Sequence, residues 1–332
     1  MSSFKALRIH QADKGVDPRL EDITLDDLAE GSVELRCAWS GINFKDALGI
    51  TGKGKIARKF PLVAGIDVSG TVEASEDPRY KPGQKVLVTG WGLGETHDGG
   101  FAERARVRGD WVVPLPDELD LRRAMLVGTA GFTAAMALVR MEQNGQRPDQ
   151  GPVVMTGASG GVGSFATRLF SRAGYNVTAV TGKADAAEYL KGLGASAILD
   201  PADVDYGKRP LEKAQWAGAV DALGSETLTW LTRTVQPFGT IAAIGNAQGI
   251  ELNTSVLPFI LRGVSLVGID SVYCPPSLRL QIWERAAQLL REEDFNAICH
   301  SELTLDDVPQ ACADLMDRKV RGRMLVRLSG EH

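Results

Sequence analysis

The sequence predicts an α/β chain in which a doubly wound parallel sheet is joined to a β-rich domain, and three observations carry that prediction. A glycine-rich loop, Gly157 to Gly163, stands between a short apolar strand and an amphipathic helix. Strand-like and helix-like runs alternate from Pro152 to Ile269. Before them, residues 1 to 122 hold short strand-like runs separated by Gly, Pro and Asp clusters.

In chain order, Lys5 to His10, Val33 to Trp39, Val68 to Val72 and Lys85 to Thr89 read as strands. Leu121 to Arg140 turns helical. Pro152 to Thr156 is apolar, β-branched and cut off by Gly157, so it reads as a buried strand. Apolar side chains at Val162, Phe165, Ala166, Leu169, Phe170 and Ala173 then keep a helical period that stops at Gly174. Asn176 to Thr181 is the second strand, followed by a helix over Ala184 to Leu193. Strands over Ala217 to Ala222, Thr240 to Ile244 and Ser265 to Ile269, with a helix from about Ser225, continue the alternation. Pro275-Pro276 breaks the chain before a helix over Ser277 to Arg291, and Arg323 to Leu328 forms a last strand. The expected division is therefore 1–122 with 276–332 as the β-rich domain and 123–275 as a Rossmann domain. No linker separates them, so a fixed cleft is expected.

The loop Gly157-Ala158-Ser159-Gly160-Gly161-Val162-Gly163 departs from G-x-G-x-x-G in having Ala158 at the first glycine position. It keeps Gly160 for close approach of phosphates and Gly163 for packing the helix on the strand. Strand, loop and helix N-terminus together offer backbone N–H groups to a pyrophosphate, which places Ser159, Gly160, Gly161, Val162 and Gly163 around a dinucleotide. An acid at the end of the second strand normally accepts a hydrogen bond from the ribose of NAD. Here Thr181-Gly182-Lys183 stand instead. A hydroxyl and an ammonium suit a 2′-phosphate that a carboxylate would repel, so NADPH is the expected cofactor. Asp185 better suits the first turn of the next helix.

With 332 residues and 44% hydrophobic content the chain is long enough for two domains and a large core. A net charge of −5 with no long basic run argues against a nucleic-acid or membrane-surface partner. Cys37, Cys274, Cys299 and Cys312 form no C-x-x-C pair, which suits reduced thiols rather than a disulfide framework or a zinc knuckle. No apolar leader is evident and no run approaches roughly 18 apolar residues, so a cytoplasmic protein is expected.

Gly65-Ile66-Asp67-Val68-Ser69-Gly70, Lys81-Pro82-Gly83-Gln84-Lys85-Val86, Gly99-Gly100-Phe101-Ala102-Glu103 and Gly128-Thr129-Ala130-Gly131-Phe132-Thr133-Ala134 follow one another along the chain. In that order and spacing they resemble the medium-chain dehydrogenase/reductase superfamily, which implies a GroES-like catalytic domain beside the Rossmann domain. More narrowly, Asn43-Phe44-Lys45-Asp46-Ala47-Leu48, Thr51-Gly52-Lys53-Gly54-Lys55, Thr89-Gly90-Trp91-Gly92-Leu93-Gly94-Glu95 and Gly268-Ile269-Asp270-Ser271-Val272 resemble the acryloyl-CoA reductase group. Members of that group are often called quinone oxidoreductases. The resemblance implies NADPH-dependent reduction of acryloyl-CoA to propionyl-CoA; a homodimer is the expected assembly.

Zinc-dependent members of the superfamily carry Cys and His ligands where this chain has Asn43 and Ile66, and an amide and an alkyl group cannot make that site. No two of His10, His97, His300 and His332 are spaced as a ligand pair, so no metal is expected. Asn43, in the vacated position, is expected to donate to the oxygen of a forming enolate, the alternative being an amide that only fixes its own turn. Lys45 matches a proton-relay position and is expected to contact the nicotinamide ribose or supply a proton. Phe44 stands where many relatives have tyrosine, so its ring packs on the cofactor without an acidic hydroxyl. Asp46 and Asp67 are expected to serve structure, since a carboxylate beside a forming enolate is unfavourable. Lys53, Lys55 and Arg58, with Lys59, are candidates for the phosphates of coenzyme A. Asn246, Val272 and Arg323 match cofactor-lining positions of the group, while Asp200-Pro201-Ala202 replaces an arginine often found after its third strand. A quinone reductase and a non-catalytic NADPH-binding sensor or stress protein are the competing readings.

Overall fold

The computed structural model describes residues 2–329. The chain opens with β1 (Phe4–Gln11) and β2 (Val16–Ile23), then β3 (Val33–Gly41), helix α1 (Phe44–Ile50), β4 (Leu62–Val63), β5 (Asp67–Ser75), β6 (Lys85–Thr89), β7 (Arg104–Val107) and β8 (Val113–Pro114). Helix α2 (Leu121–Gln143) leads to β9 (Val153–Met155), α3 (Gly161–Arg172), β10 (Val177–Val180), α4 (Ala187–Gly192) and β11 (Ala197–Leu199). Then come β12 (Trp216–Asp221), α5 (Ser225–Thr234), β13 (Val235–Ala243), α6 (Leu257–Arg262) and β14 (Ser265–Gly268). The chain ends with α7 (Pro276–Leu289), α8 (Glu292–Ile298), β15 (Cys299–Leu303), α9 (Val308–Met316) and β16 (Arg323–Arg327). Two compact units result: Met1–Thr129 with Val272–Leu280 and Cys299–His332, and Ala130–Ser271 with Gln281–Ile298.

In the first unit, β2-β1-β4 form a small antiparallel sheet and β15-β16-β3-β5-β6-β8 a larger one, with β7 also paired to β3. Alternating inward residues such as Val33, Leu35 and Cys37 of β3 and Val86 and Val88 of β6 build its core, joined by Met324 and Val326 of β16. The tail strand lies antiparallel to β3, with Leu325 opposite Gly41 and Val326 opposite Ser40. That register brings Arg323 to Asn43.

The second unit is a parallel sheet in the order β11-β10-β9-β12-β13-β14. Its strand order reverses between β9 and β12, the point where doubly wound sheets bind ligands beyond their carboxyl ends. Val154, Val180, Ala219, Leu231 and Ile241 form the core against that sheet.

Three expectations need correction. The division near 122 falls instead after Thr129, where the break in α2 at Gly128 (φ 46°, ψ −157°) interrupts an otherwise helical run. Residues 281–298 belong to the second unit rather than the β-rich one. Trp283 of α7 stacks on Phe132 at 5.6 Å, and Asp294 of α8 is ion-paired with Arg168 and Arg172 of α3, contacts that sequence order does not reveal. Lastly, α2 is by length and composition apolar enough to cross a membrane, contrary to the reading of the bare sequence. Its apolar stretch is 83% buried within the protein, which accounts for that composition.

Candidate active site

The first unit holds a buried polar network around the N-terminus of α1. Asn43 is the residue before α1, and Asp46, one turn in, accepts its backbone N–H at 2.8 Å. The other Asp46 oxygen accepts the Ile66 N–H at 3.0 Å, which ties α1 to the start of β5. Burial, with Asp67 as a second carboxylate nearby, pushes the Asp46 carboxyl up to about 7.

Asp67 is the hub. It accepts from the Asn43 side-chain amide (2.8 Å), the Thr129 backbone N–H (2.8 Å) and the Thr129 hydroxyl (2.5 Å). Thr129 is where α2 restarts after its break, so the carboxylate occupies the place of a helix cap. On the other side of the break, Arg323 donates to the carbonyls of Leu126 (3.2 Å) and Met125 (3.4 Å), and also to Ile42 O (2.7 Å) and Asn43 Oδ1 (2.8 Å). Its guanidinium lies 3.7 Å from Asp67, and burial holds it below its ordinary value against the pull of that carboxylate. Gly128 is required here, because a Cβ would stand 2.6 Å from the Asp67 carboxylate and 2.7 Å from Arg323 Nη2.

This geometry revises two site assignments. The side-chain N–H bonds of Asn43 are committed to Asp67 and to Gly41 O (3.2 Å), so the amide has no donor left for an enolate oxygen. Arg323, 2% exposed, spends its guanidinium on protein acceptors and presents none of it to a cofactor. Both residues brace the break in α2. Asp46 and Asp67 take the structural roles read for them.

Lys45 is paired with Glu95 at 2.8 Å, both side chains partly open to solvent. Phe44 is 46% exposed, leaving a ring face to meet a flat ligand. Lys53, Lys55 and Arg58 are exposed in the loop after α1, whereas Lys59 reaches Asp98 at 3.4 Å. The Val272 carbonyl accepts from Trp91 N and Arg279 Nη2, so this residue belongs to the first unit. Sequence reasoning missed Glu95, Gly128 and Thr129. A Gly-Thr pair inside a long apolar helix is a stop and restart signal that was available.

In the second unit, the loop after β9 turns through Gly157 (φ 59°) into α3. Gly160 precedes α3 and has no side chain to cap it, so the helix start is not capped from within. A Cβ on Gly160 would meet only Gly157 O, at 3.5 Å, and Gly160 is exposed; Gly161 and Val162 are half-buried, and Ser159 is buried beneath them. Gly163 is different: a Cβ there would stand 2.3 Å from Gly157 O and 2.5 Å from Ala158 Cα, so only glycine lets α3 pack this closely.

At the end of β10, Thr181 accepts the Lys183 N–H at 3.2 Å, Gly182 is exposed and Lys183 is half-buried. Asp200 turns onto Ala202 N at 2.8 Å, Asp185 is exposed in the turn before α4, and Asn246 is exposed beyond β13. An uncapped helix start next to a strand ending in hydroxyl and ammonium fits an adenine dinucleotide bearing a 2′-phosphate.

Residues 29–117 match the alcohol dehydrogenase GroES-like domain and residues 161–291 the zinc-binding dehydrogenase family. The Escherichia coli protein named "Probable acrylyl-CoA reductase AcuI" is 47% identical over 98% of this chain and 100% of its own length. A Bacillus subtilis protein, YhfP, named provisionally as a quinone oxidoreductase, is 44% identical over 98% of this chain and 99% of its own. The structure of the YhdH oxidoreductase from Salmonella enterica in complex with NADP superposes with a TM-score of 0.96 at 47% identity, covering 98% of this chain and 100% of that one.

Proposed function

Because this chain belongs to the acrylyl-CoA reductase family of the medium-chain dehydrogenase/reductase superfamily, we propose that it reduces the C=C bond of acryloyl-CoA, or a similarly small 2-enoyl-CoA, to the saturated thioester with NADPH. The observation that carries the cofactor is the uncapped start of α3 together with β10 ending in Thr181-Gly182-Lys183 rather than in an acid. NADPH, when bound, supplies the hydride.

The chain's own residues bind, orient and screen charge. Ser159, Gly160, Gly161, Val162 and Gly163 cradle the pyrophosphate, Thr181, Gly182 and Lys183 take the 2′-phosphate, and Asn246 lines the same end of the sheet. The exposed Phe44 ring offers an apolar face to the nicotinamide, and Val272 belongs to the same unit. Lys45, held by Glu95, provides positive charge toward the thioester oxygen as it gains electron density, and water supplies the α-carbon proton. Lys53, Lys55 and Arg58 meet the coenzyme A phosphates. Asn43 and Arg323 are positioning residues.

We further propose a homodimer in the cytoplasm. Edge strand β14 and the exposed apolar residues Phe238, Val256, Ile260 and Leu261 offer a surface for a second copy, which light scattering of the purified protein tests. The deciding assay for the reaction is NADPH oxidation with acryloyl-CoA, crotonyl-CoA and benzoquinone side by side. Acryloyl-CoA is expected to turn over fastest. Quinone turnover far above it would favour the quinone reductase suggested by the YhfP name, and NADPH binding without any turnover would favour a sensor.

A further inference from the structure

Residues 90–94 place four of five positions at left-handed φ: Gly90 (77°), Trp91 (57°), Gly92 (83°) and Gly94 (69°). Three are glycine, which that backbone favours, and the fourth is the bulkiest residue available. The left-handed conformation costs an L-residue roughly 1–2 kcal/mol. The Trp91 indole N–H is moreover buried with no hydrogen-bond partner among the described residues, a second cost. A tryptophan kept against both is kept for the volume and rigidity of its ring.

The ring is clamped. Arg279 holds its guanidinium 5.1 Å over the indole and is itself fixed by the Thr89 carbonyl and hydroxyl and the Val272 carbonyl, each at 3.0 Å. Tyr273 meets the ring edge-on at 6.1 Å, and the Trp91 backbone N–H donates to Val272 O at 3.2 Å. The loop is also seated against α1 at both ends. Gly90 N–H donates to Ile66 O at 3.3 Å, and Ile66 N–H donates in turn to Asp46, the carboxylate that also holds Asn43 N–H. Past Gly94, Glu95 pairs with Lys45. The tryptophan is thus bracketed by the two ties that fasten its loop to the helix carrying Phe44 and Lys45.

We propose that Trp91 determines acyl-chain length: its immobile ring forms the wall of the acyl pocket beside α1 and admits only short 2-enoyl thioesters. This rests on the enoyl-CoA reading above. A three-carbon acyl group stops short of the wall. A longer chain meets a ring that Arg279 and Tyr273 keep from swinging aside, and steric discrimination of this kind runs to about 10–200-fold per excluded methylene.

The test compares kcat/KM for acryloyl-CoA and trans-2-hexenoyl-CoA, with NADPH, in the wild type, Trp91→Gly and Trp91→Phe. Glycine removes the wall while relieving the left-handed backbone, so the variant keeps its fold; circular dichroism and the NADPH dissociation constant verify this. The hexenoyl-to-acryloyl ratio should rise about 10-fold or more in Trp91→Gly and less in Trp91→Phe. An unchanged ratio in an active, folded Trp91→Gly overturns the assignment of Trp91 alone. A wild type that reduces no enoyl-CoA overturns the parent reading, and the acyl-wall assignment with it.

Discussion

Replacing Arg323 with methionine separates a buried brace from a cofactor contact. Methionine retains much of the side-chain volume but no donor, so the change strips hydrogen bonds from Ile42 O, Leu126 O, Met125 O and Asn43 Oδ1 and removes the cation beside Asp67. Each buried acceptor left bare costs about 1–3 kcal/mol, and breaking one side of a buried charge pair costs about 3–5 kcal/mol. These overlap in one network, so the expected loss is roughly 3–5 kcal/mol rather than their sum. Urea denaturation followed by circular dichroism reads the loss. Arg323→Lys should recover little of it, because one ammonium cannot reach both the Ile42–Asn43 link between β3 and α1 and the Met125 and Leu126 carbonyls before the α2 break. NADPH affinity, titrated by fluorescence well below the denaturation midpoint, should stay within about 3-fold, whereas losing a charge-assisted hydrogen bond of about 1.5–3 kcal/mol would weaken it 10-fold or more. A stability loss under about 1 kcal/mol, or a large loss of NADPH affinity in a fully folded variant, would refute the bracing role.

Other substitutions test neighbouring claims. Lys183→Ala should weaken NADPH binding about 10-fold or more and leave NADH nearly unchanged, since only NADPH carries the phosphate that the ammonium pairs with; equal losses measured by titration would remove Lys183 from that role. Asn43→Ala should cost roughly 2 kcal/mol of stability, and Asn43→Asp more, because it sets a second carboxylate where the amide now lies 2.8 Å from Asp67; an alanine variant of native stability with kcat down about 100-fold would restore the amide as an oxyanion donor. Asp46 sets a pH dependence. Its folded value of about 7 lies above the 3.8 of an ordinary carboxyl, so between those limits the folded state binds more protons than the unfolded state. Its contribution to stability therefore falls as pH rises, by up to roughly 1.4 kcal/mol per unit, and is fully lost above about pH 7. Asp46→Asn should be less stable at low pH, having lost an acceptor for a backbone N–H, but flatter from pH 5 to 8 in urea titrations; parallel slopes for the two proteins would discard the Asp46 titration.

The second unit was legible because its signals are local. The strand, glycine loop and helix from Pro152 to Arg172 declare themselves through a change of hydrophobic period within twenty or so residues, and Gly163 is demanded by atoms only five and six positions away. The absence of an acid after β10 is likewise readable from three adjacent residues. What lay in sequence at Asn43 was its identity, not its duty. The same amide that chemistry allows to stabilise an oxyanion is here saturated by Asp67 and Gly41, and by Arg323, which arrives 280 residues later on a strand whose register against β3 no local pattern encodes.

Lys45 shows the same limit, since its partner Glu95 is 50 residues away, and so does the break in α2, whose glycine is legible but whose capping carboxylate comes from β5. The sequence by itself therefore determined the fold class, the glycine loop between β9 and α3 and the absence of an acid after β10, because periodicity, glycine placement and charge act between near neighbours. Only the tertiary structure decided which polar residues are spent on holding the protein together, which helices join which unit and that the Trp91 ring is packed by Arg279 and Tyr273. Those outcomes depend on hydrogen-bond capacity consumed by partners distant in sequence, and a donor's availability is set by the partners it has met in the fold.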